Sequence, residues 1–525
     1  MSKMFGSPSS NKVLVVTIAV VLAGYLAAAA CHLPQRGTEL VVAAQSHGKR
    51  EAHSAKGEAK PALPSAVRHP PYWMVTPFVM LLGAIAVLPL IPATAHWWKS
   101  NLHRFYVAGG LGAITLLYYL TLHAHPVELH WPAPRVALPS PGGLNFAQTA
   151  AVLANAVLNE YVPFIILLFS LYTISGGIRI EGDLPAHPAT NTAFLAVGGV
   201  LASLIGTTGA AMLLIRPLLE TNRERKHVQH TVIFFMFIVC NCGGCLLPLG
   251  DPPLFLGYLM GVPFLWTLVL WKEWLFVNAA LLAIYFLWDR YWHYPREKAA
   301  DILRDETRRH RLRFSGVWPN ALLLVGVIVC VGLLDPSKAV PGTGWHPWMY
   351  LREVTQLALV GLSLAIGAGH ARRANRFNYG PMIEVAALFF GIFICMQPAL
   401  QILAVEGPNL GLTRPWQYFW ASGGLSSVLD NSPTYVVYFE TAKSLPADLR
   451  LGGAPVAGVE PLLLVAISLG SVFMGANTYI GNGPNFMVKA IAEKSGVAMP
   501  SFFGYMLYSI VILVPLYILV TFLFL

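Results

Sequence analysis

Two aspartates, Asp251 and Asp430, lie inside apolar stretches of the sequence beside glycine, proline and asparagine. An ionisable side chain at membrane depth is costly, so it marks a functional site by default. Burial favours the protonated form of a carboxyl group and a bound cation favours the ionised form, so such a group can exchange a proton for a cation. Hydroxyl and amide oxygens suit a hard cation such as sodium, and the candidates that accompany the two aspartates are Thr207, Thr208, Asn241, Ser426, Asn431, Ser432, Asn477, Thr478 and Asn482.

The composition of the chain indicates that these residues sit in a membrane. The 525 residues are 56% hydrophobic and only 11% charged, whereas soluble domains carry about 25% charged residues. Apolar segments near the length of about 20 residues that crosses a bilayer recur along the sequence. We therefore expect an all-α polytopic membrane protein with about ten spans, which excludes soluble, fibrous and disordered classes.

The net charge of +10 comes mainly from Lys and Arg in short loops that the predicted topology places inside the cell. This is the positive-inside pattern, so the charge reports orientation and does not indicate a nucleic-acid partner. The predicted location is the inner (plasma) membrane, with the lipid bilayer and a small ion or small molecule as partners.

The amino terminus resembles a secretion signal. Lys3 and Lys12 precede an apolar run that ends in small residues at Ala27–Ala30, so residues 1–31 are predicted to be a signal peptide or an uncleaved N-terminal helix. Residues 32–71 contain few large apolar side chains and are predicted to form a flexible extracytoplasmic linker.

Two apolar segments are predicted to enter the membrane and return to the same side. The predicted topology places the loops on both sides of residues 191–219 inside the cell, and two arms of that segment would rise only about 20 Å each. The tip of this re-entrant hairpin is expected at Gly206-Thr207-Thr208-Gly209, because glycine tolerates a tight reversal. Residues 416–442, centred on Asp430-Asn431, predict a second hairpin entered from the opposite side.

The spacing of these segments predicts an internal repeat. Thr207 lies 47 residues after Glu160 (207 − 160), and Asn431 lies 47 residues after Glu384 (431 − 384). A helix interrupted by Gly/Pro clusters follows each hairpin, at residues 232–271 and 461–492. We therefore predict a first inverted repeat at 72–290, a basic cytoplasmic loop at 291–315 and a second repeat at 316–525. Inverted repeats with broken helices are typical of alternating-access transport, with the site near the midplane.

Four further residues leave their roles open. Glu160 and Glu384 are either a proton relay or polar contacts near helix ends. Cys242 and Cys245 are either small apolar side chains that fill space or a metal or redox pair.

The His-Glu-x-x-His and Gly-x-Ser-x-Gly motifs are absent from the sequence, so an intramembrane enzyme is not expected, and no cofactor or bound catalytic metal is expected.

The segment LSSVLDNSPT, which contains Asp430, resembles the hairpin tip of an ion-transporter superfamily, as does the break from Asn241 to Asp251. That superfamily includes NhaD-type sodium/proton antiporters, arsenite-pump subunits and citrate or dicarboxylate carriers, and the resemblance covers Trp73–Leu525. It implies a scaffold domain and a transport domain, often in a homodimer. The antiporter branch often carries Asp-Asn at the first tip, where this sequence has Gly206-Thr207.

Together these features predict a secondary transporter that exchanges sodium or another cation for protons, with Asp251 and Asp430 in its site. The alternative is a sodium-coupled carrier of citrate or a dicarboxylate, bound by hairpin amides and the positive ends of half-helices. Sodium is expected as substrate or coupling ion in both.

Overall fold

The computed structural model describes residues 8–54, 69–307, 310–367, 369–375, 377–446 and 452–525. The regular structure of these residues is helical apart from two short antiparallel strand pairs, Val127–Leu129 with Arg135–Ala137 and Arg179–Asp183 with His310–Ser315. The predicted all-α membrane class is confirmed.

Within the described ranges, 5 helices are long and apolar enough to cross a membrane, or 7 if each of two bent pairs is one span. This is fewer than the ten or so spans that we predicted. Three further helices are apolar but only 10–17 residues long; these are Gln229–Cys245, Val317–Leu333 and Pro461–Asn477.

The chain divides into two compact units. The first unit comprises residues 1–173, 322–367 and 377–406. It includes most of Val317–Leu333, and its other helices are Pro8–Ala30, Leu33–Ser54, Tyr72–Val75 (3-10), Thr76–Val87, Pro92–Trp98, Asn101–Thr121, Phe146–Leu153, Ala154–Tyr161 (π), Val162–Ser175, Leu351–Ile366, Gly380–Cys395 and Gln397–Glu406. Two of them pack closely at Gly391, where a Cβ would lie 2.5 Å from the carbonyl oxygen of Ala108.

The N-terminal segment of the first unit differs from the prediction. Leu33–Ser54 is a helix, not a flexible linker, and residues 55–68 of the predicted linker lie outside the described residues. The helix is anchored because Thr38 Oγ1 donates a hydrogen bond to the Pro347 carbonyl oxygen at 3.0 Å. The preceding helix, Pro8–Ala30, packs along Leu351–Ile366.

The second unit comprises residues 174–321, 368–376 and 407–525. Its helices are Pro188–Ile205, Thr207–Thr221, Gln229–Ile238, Cys242–Cys245 (3-10), Pro252–Leu259, Trp266–Leu270 (3-10), Trp271–Trp288, Asp289–His293 (π), Tyr294–Arg296 (3-10), Ala299–Thr307, Gly369–Ala374, Gly407–Leu410 (3-10), Pro415–Ser426, Asn431–Lys443, Pro461–Phe473, Met474–Asn477 (3-10), Gly483–Lys494 and Phe502–Phe524. The predicted basic loop at 291–315 is therefore structured, since it contains a helix and the strand His310–Ser315 that pairs with Arg179–Asp183.

The first helical hairpin, hairpin 1, consists of Pro188–Ile205 and Thr207–Thr221. Its two ends lie side by side, because the Asn191 and Asn222 carboxamides exchange two hydrogen bonds of 2.8 Å. The first arm has 18 residues and rises about 27 Å, which is longer than the arm of about 20 Å that we predicted. Closure by the asparagine pair nevertheless keeps both ends of the hairpin together.

The second helical hairpin, hairpin 2, consists of Pro415–Ser426 and Asn431–Lys443. The segment that precedes it lies against the end of its second arm, since a Cβ on Gly407 would collide with the Ser444 hydroxyl. The first arm of each hairpin has a proline in its first turn, Pro188 or Pro415, where a missing N–H is tolerated.

An interrupted helix follows each hairpin. We call the interruptions break 1 (residues 239–251) and break 2 (residues 474–482). The helices that enter them, Gln229–Ile238 and Pro461–Phe473, are buried almost all round, which is typical of helices at the centre of a bundle.

Candidate functional site

The two breaks share one backbone packing. Gly250 lies against the carbonyl group of Gly244, so closely that a Cβ would collide with it. In break 2, a Cβ on Gly481 would lie 2.6 Å from the Gly475 carbonyl oxygen. Both loops fold back at the same spacing, and only glycine leaves room for the backbone contact.

A serine from each hairpin holds the corresponding break. Ser203 Oγ donates to the Gly243 carbonyl oxygen at 2.5 Å and accepts from the Leu246 N–H at 3.0 Å. Ser427 Oγ donates to the Met474 carbonyl oxygen at 3.2 Å and accepts from Asn477 Nδ2 at 2.8 Å. The two halves therefore use equivalent contacts to set each hairpin against its break.

The tip of hairpin 1 is formed by a single residue, Gly206, with φ of 82°. This left-handed conformation favours glycine, and it turns the chain so that Thr207 begins the second arm. The Thr207 N–H donates to the Gly250 carbonyl oxygen at 2.8 Å. Thr207 is thus fixed at break 1, directly beside Asp251.

Asp251 is the centre of the site, with only 1% of its surface exposed. Its Oδ1 accepts hydrogen bonds from Thr207 Oγ1 at 2.9 Å and Asn482 Nδ2 at 3.1 Å. Its Oδ2 accepts from Asn431 Nδ2 at 2.5 Å. The carboxylate therefore joins hairpin 1, hairpin 2 and break 2, and these hydrogen bonds replace its lost hydration.

A chain of carboxamides extends from this carboxylate. Asn482 Nδ2 also lies 3.2 Å from Asn241 Oδ1, and Asn241 Nδ2 donates to Asn485 Oδ1 at 2.8 Å. Asn485 Nδ2 in turn donates to the carbonyl oxygens of Gly475 and Thr478, each at 3.0 Å. The chain links the two breaks to each other.

Asn485 was missed by the sequence analysis. It follows Asn482 by one helical turn, and the i, i+3 spacing on one helix face was the signal that could have identified it.

Asp430 caps the second arm of hairpin 2. Its Oδ1 accepts from the Ser432 N–H at 3.0 Å, a position where a negative charge is favoured by the helix dipole. The side chain is half-buried, and its charge acts on the Asp251 carboxylate. The two aspartates are thus neighbours with different partners.

The other predicted site residues of hairpin 2 and break 2 form hydrogen bonds to groups other than Asp251. Ser426 Oγ donates to the Ser471 carbonyl oxygen at 2.7 Å, and Thr478 Oγ1 donates to the Ser427 carbonyl oxygen at 2.6 Å. Ser432 Oγ lies 3.4 Å from Asn431 Oδ1. These residues and Asn477 position the backbone and side chains around the site without contacting Asp251.

Three predicted residues lie outside this network. Thr208 is half-buried beside Thr207 and has no hydrogen bond to Asp251. Glu384 pairs with Arg104 at 2.7 Å within the first unit, which favours a polar contact over a proton relay. Glu160 is half-buried in the π-helical stretch of the same unit.

Cys242 and Cys245 are buried free thiols in break 1. Across the described residues, no group of three His, Cys, Asp or Glu side chains could hold a metal ion. The packing of the two thiols in the apolar interior favours their interpretation as small fillers.

Four helices begin around the central carboxylate, at Thr207, Pro252, Asn431 and Gly483. Helix N-termini carry a partial positive charge. The side chains that donate hydrogen bonds to Asp251 are neutral. The site therefore combines oxygen ligands, amides and helix dipoles, which suits a small cation and can also receive a carboxylate group beside it.

No curated protein matches the chain in sequence. A family model described as "Putative citrate transport" matches residues 123–525, a range that contains both hairpins, both breaks and every residue of the carboxamide chain. The chain therefore belongs to this family of membrane transporters.

Proposed function

We propose that the protein is a secondary active transporter that exchanges sodium or a similar cation for protons by alternating access. The observation that carries this proposal is Asp251, a buried carboxylate held between two hairpins and two breaks. Such a site is expected where the broken helices of inverted repeats meet.

The partners of Asp251 suit both of its protonation states. Thr207, Asn431 and Asn482 can each donate or accept a hydrogen bond, because a hydroxyl rotates and a carboxamide can present its oxygen or its nitrogen. When Asp251 is ionised, they donate to it; when it is protonated, a carboxamide oxygen can accept its proton. The same oxygens can turn towards sodium, which prefers oxygen ligands as other hard cations do.

Exchange follows from the charge of the site. One carboxylate can be neutralised by a proton or by a cation, and the two compete because each stabilises a different form of the group. Because the side chains that donate to Asp251 are neutral, an empty ionised site is unfavourable in a low-dielectric region. The carrier therefore changes sides more readily when it is loaded.

Sodium-coupled transport of citrate or a dicarboxylate is the second candidate, and the family match favours it. An organic anion would be repelled by Asp251 and Asp430 until cations bind. Once they are bound, the four helix N-termini and the hairpin amides could receive a substrate carboxylate. Both candidates require the same cation site.

We assign the transport role to the second unit, which contains both hairpins, and the scaffold role to the first. We further propose that the protein is a homodimer in the inner (plasma) membrane.

Since Pro8–Ala30 packs along Leu351–Ile366, we propose that it is retained as a helix and not removed as a signal peptide. Intact mass of the purified protein tests this last point.

The test of function uses purified full-length protein in proteoliposomes. Antiport predicts that a sodium gradient drives proton movement, read with an internal pH dye, and that Asp251→Asn and Asp430→Asn abolish it. Glu440→Gln is the matched control, because Glu440 lies on hairpin 2 but pairs with Lys443 at 3.2 Å. Sodium-dependent uptake of labelled citrate without exchange of protons would establish the second candidate, and movement of neither solute would contradict both.

A further inference from the structure

A second buried polar cluster lies at the closed end of hairpin 1, away from its tip. Its central feature is a pair of stacked imidazole rings, which we call the histidine pair: His230 and His293. Their ring centroids are 3.9 Å apart and their planes differ by 10°. His230 is at the start of the first interrupted helix, and His293 ends the π-helical turn Asp289–His293.

One member of the pair faces a buried ion pair. Arg225 donates from both terminal nitrogens to Asp289, at 2.9 and 2.5 Å, and His230 Nε2 lies 3.0 Å from Asp289 Oδ1. Tyr285 donates to the other oxygen of Asp289 at 3.3 Å. The Asp289 carboxylate, which His230 shares with Arg225, therefore offsets only part of the charge of a proton on His230.

The ring nitrogens of His293, the other member of the pair, have no hydrogen-bonded carboxylate among the described residues. Both ring nitrogens of His293 are buried and, among the described residues, have no hydrogen-bond partner. The neighbouring charged or titratable groups are Asp289 on its own turn, Arg225 after hairpin 1, His227 at 6.1 Å between ring centroids, Tyr285 on Trp271–Trp288, and Tyr294 and Glu297 in the following segment.

A second proton would thus destabilise the stack. It would place two imidazolium rings face to face beside the Arg225 guanidinium, and like charges at this distance repel strongly where water is excluded. It would also give His293 two buried N–H donors without an acceptor, which is unfavourable. The protonated ring is more stable in water, so it is expected to leave the stack.

The histidine pair lies beside chain segments that continue to the site around Asp251. Arg225 follows the arm that begins at Thr207, and His230 starts the helix that ends at break 1 beside Asn241. The Glu297 carboxylate accepts the N–H groups of Lys226 and His227 at 3.0 and 2.8 Å, which fixes the segment between Arg225 and His230. At the corresponding end of hairpin 2, Ser444 lies against Gly407, so the histidine pair belongs to hairpin 1.

We propose that the histidine pair is a proton-binding site separate from Asp251, which loosens the closed end of hairpin 1 in acid and thereby lowers transport. The loosening is a property of the fold, whereas its effect on transport rests on the proposed function. Histidine is suited to the task because its charge changes near physiological pH.

The test measures thermal stability of the purified full-length protein against pH, in the absence of sodium. His293→Phe keeps an aromatic ring in the stack but cannot take the proton. We expect the wild type to lose stability on acidification from about pH 7 to pH 5, and the variant to shift the midpoint of this loss to lower pH by about one unit or more. His96→Phe is the control, because that histidine is exposed and belongs to the first unit; it should follow the wild type.

His293→Gln provides a second variant that cannot form the charged stack, should the phenylalanine fold poorly. If both variants lose stability over the same pH range as the wild type, the proposal is wrong. Transport in proteoliposomes then supplies the second readout, with the acid-side decline in rate expected to move with the stability midpoint. A shifted stability profile in a protein that moves neither cations nor citrate would retain the proton site and contradict the proposed function.

Discussion

The two halves of the second unit share a backbone plan but distribute their charge differently. In the first half the carboxylate, Asp251, is in the break and the hairpin tip carries the hydroxyl of Thr207. In the second half the carboxylate, Asp430, is at the tip and the break carries the amide of Asn482. Glycine and serine contacts maintain the equivalent loops. The comparison teaches that two halves can share one backbone plan and still carry their carboxylates at different positions, one in a break and one at a hairpin tip.

The largest effect is expected from moving the Asp251 carboxylate from break 1 to break 2, which tests the difference between the two halves. Asp251→Asn should reduce cation-driven proton movement by at least about 100-fold, which corresponds to about 2.7 kcal/mol, because no charge remains to exchange. The double variant Asp251→Asn/Asn482→Asp returns a carboxylate to a position whose side chain lies 3.1 Å from the original one. We expect it to recover part of the activity in proteoliposomes. Full activity of the single variant would show that Asp251 is not the exchange site.

Replacement of the equivalent glycines Gly250 and Gly481 tests whether the two breaks share one backbone packing. Gly250→Ala and Gly481→Ala should each destabilise the protein by about 1–3 kcal/mol, because the new methyl group overlaps a carbonyl group of the same break. Gly483→Ala is the matched control, since no atom lies within 4 Å of its Cβ position. Thermal unfolding in detergent measures the difference; equal stability of all three variants would refute the equivalence of the breaks.

The contribution of each hairpin tip can be compared through its hydrogen bond to Asp251. Thr207→Val and Asn431→Leu each remove one donor, and we expect the sodium concentration for half-maximal transport to rise by about tenfold, as for loss of a hydrogen bond to a charged group. Thr192→Val is the control on hairpin 1, because Thr192 bonds only to the Pro188 carbonyl oxygen of its own helix. A large effect at one tip alone would mean that the cation is held by one half.

The smallest effects are expected at the two equivalent serines. Ser203→Ala and Ser427→Ala should each lower the free energy of unfolding by about 1 kcal/mol, since each removes a hydroxyl that bonds to a break. Thermal unfolding of both variants measures this, and similar losses are required if the contacts are equivalent. A loss confined to one serine would indicate that only one break depends on its hairpin.

The hairpins and breaks could be predicted because their signals are local. Glycine and proline interrupt apolar segments at Gly206, Gly250 and Gly481, and these residues restrict the backbone whatever surrounds them. The convergence of Thr207 and Asn431 on one carboxylate agrees with the predicted repeat, although the sequence could not say which of the two aspartates would be central.

Features that depend on distant partners could not be predicted. The spacing from Asn482 could have marked Asn485 as a candidate, but its contact with Asn241, 244 residues earlier, is not recorded in any local pattern. The segment predicted as a flexible linker is helical at Leu33–Ser54 because its contacts come from residues near Pro347. The strand His310–Ser315 likewise forms only by pairing with Arg179–Asp183.

Binding of sodium to the purified protein tests the central claim most directly. Melting temperature is measured against sodium concentration, with potassium as the control ion, for the wild type and Asp251→Asn. Our account predicts that sodium raises the melting temperature of the wild type, that lower pH weakens this effect by competition, and that Asp251→Asn shows no response. A variant that sodium stabilises as strongly as the wild type would contradict it.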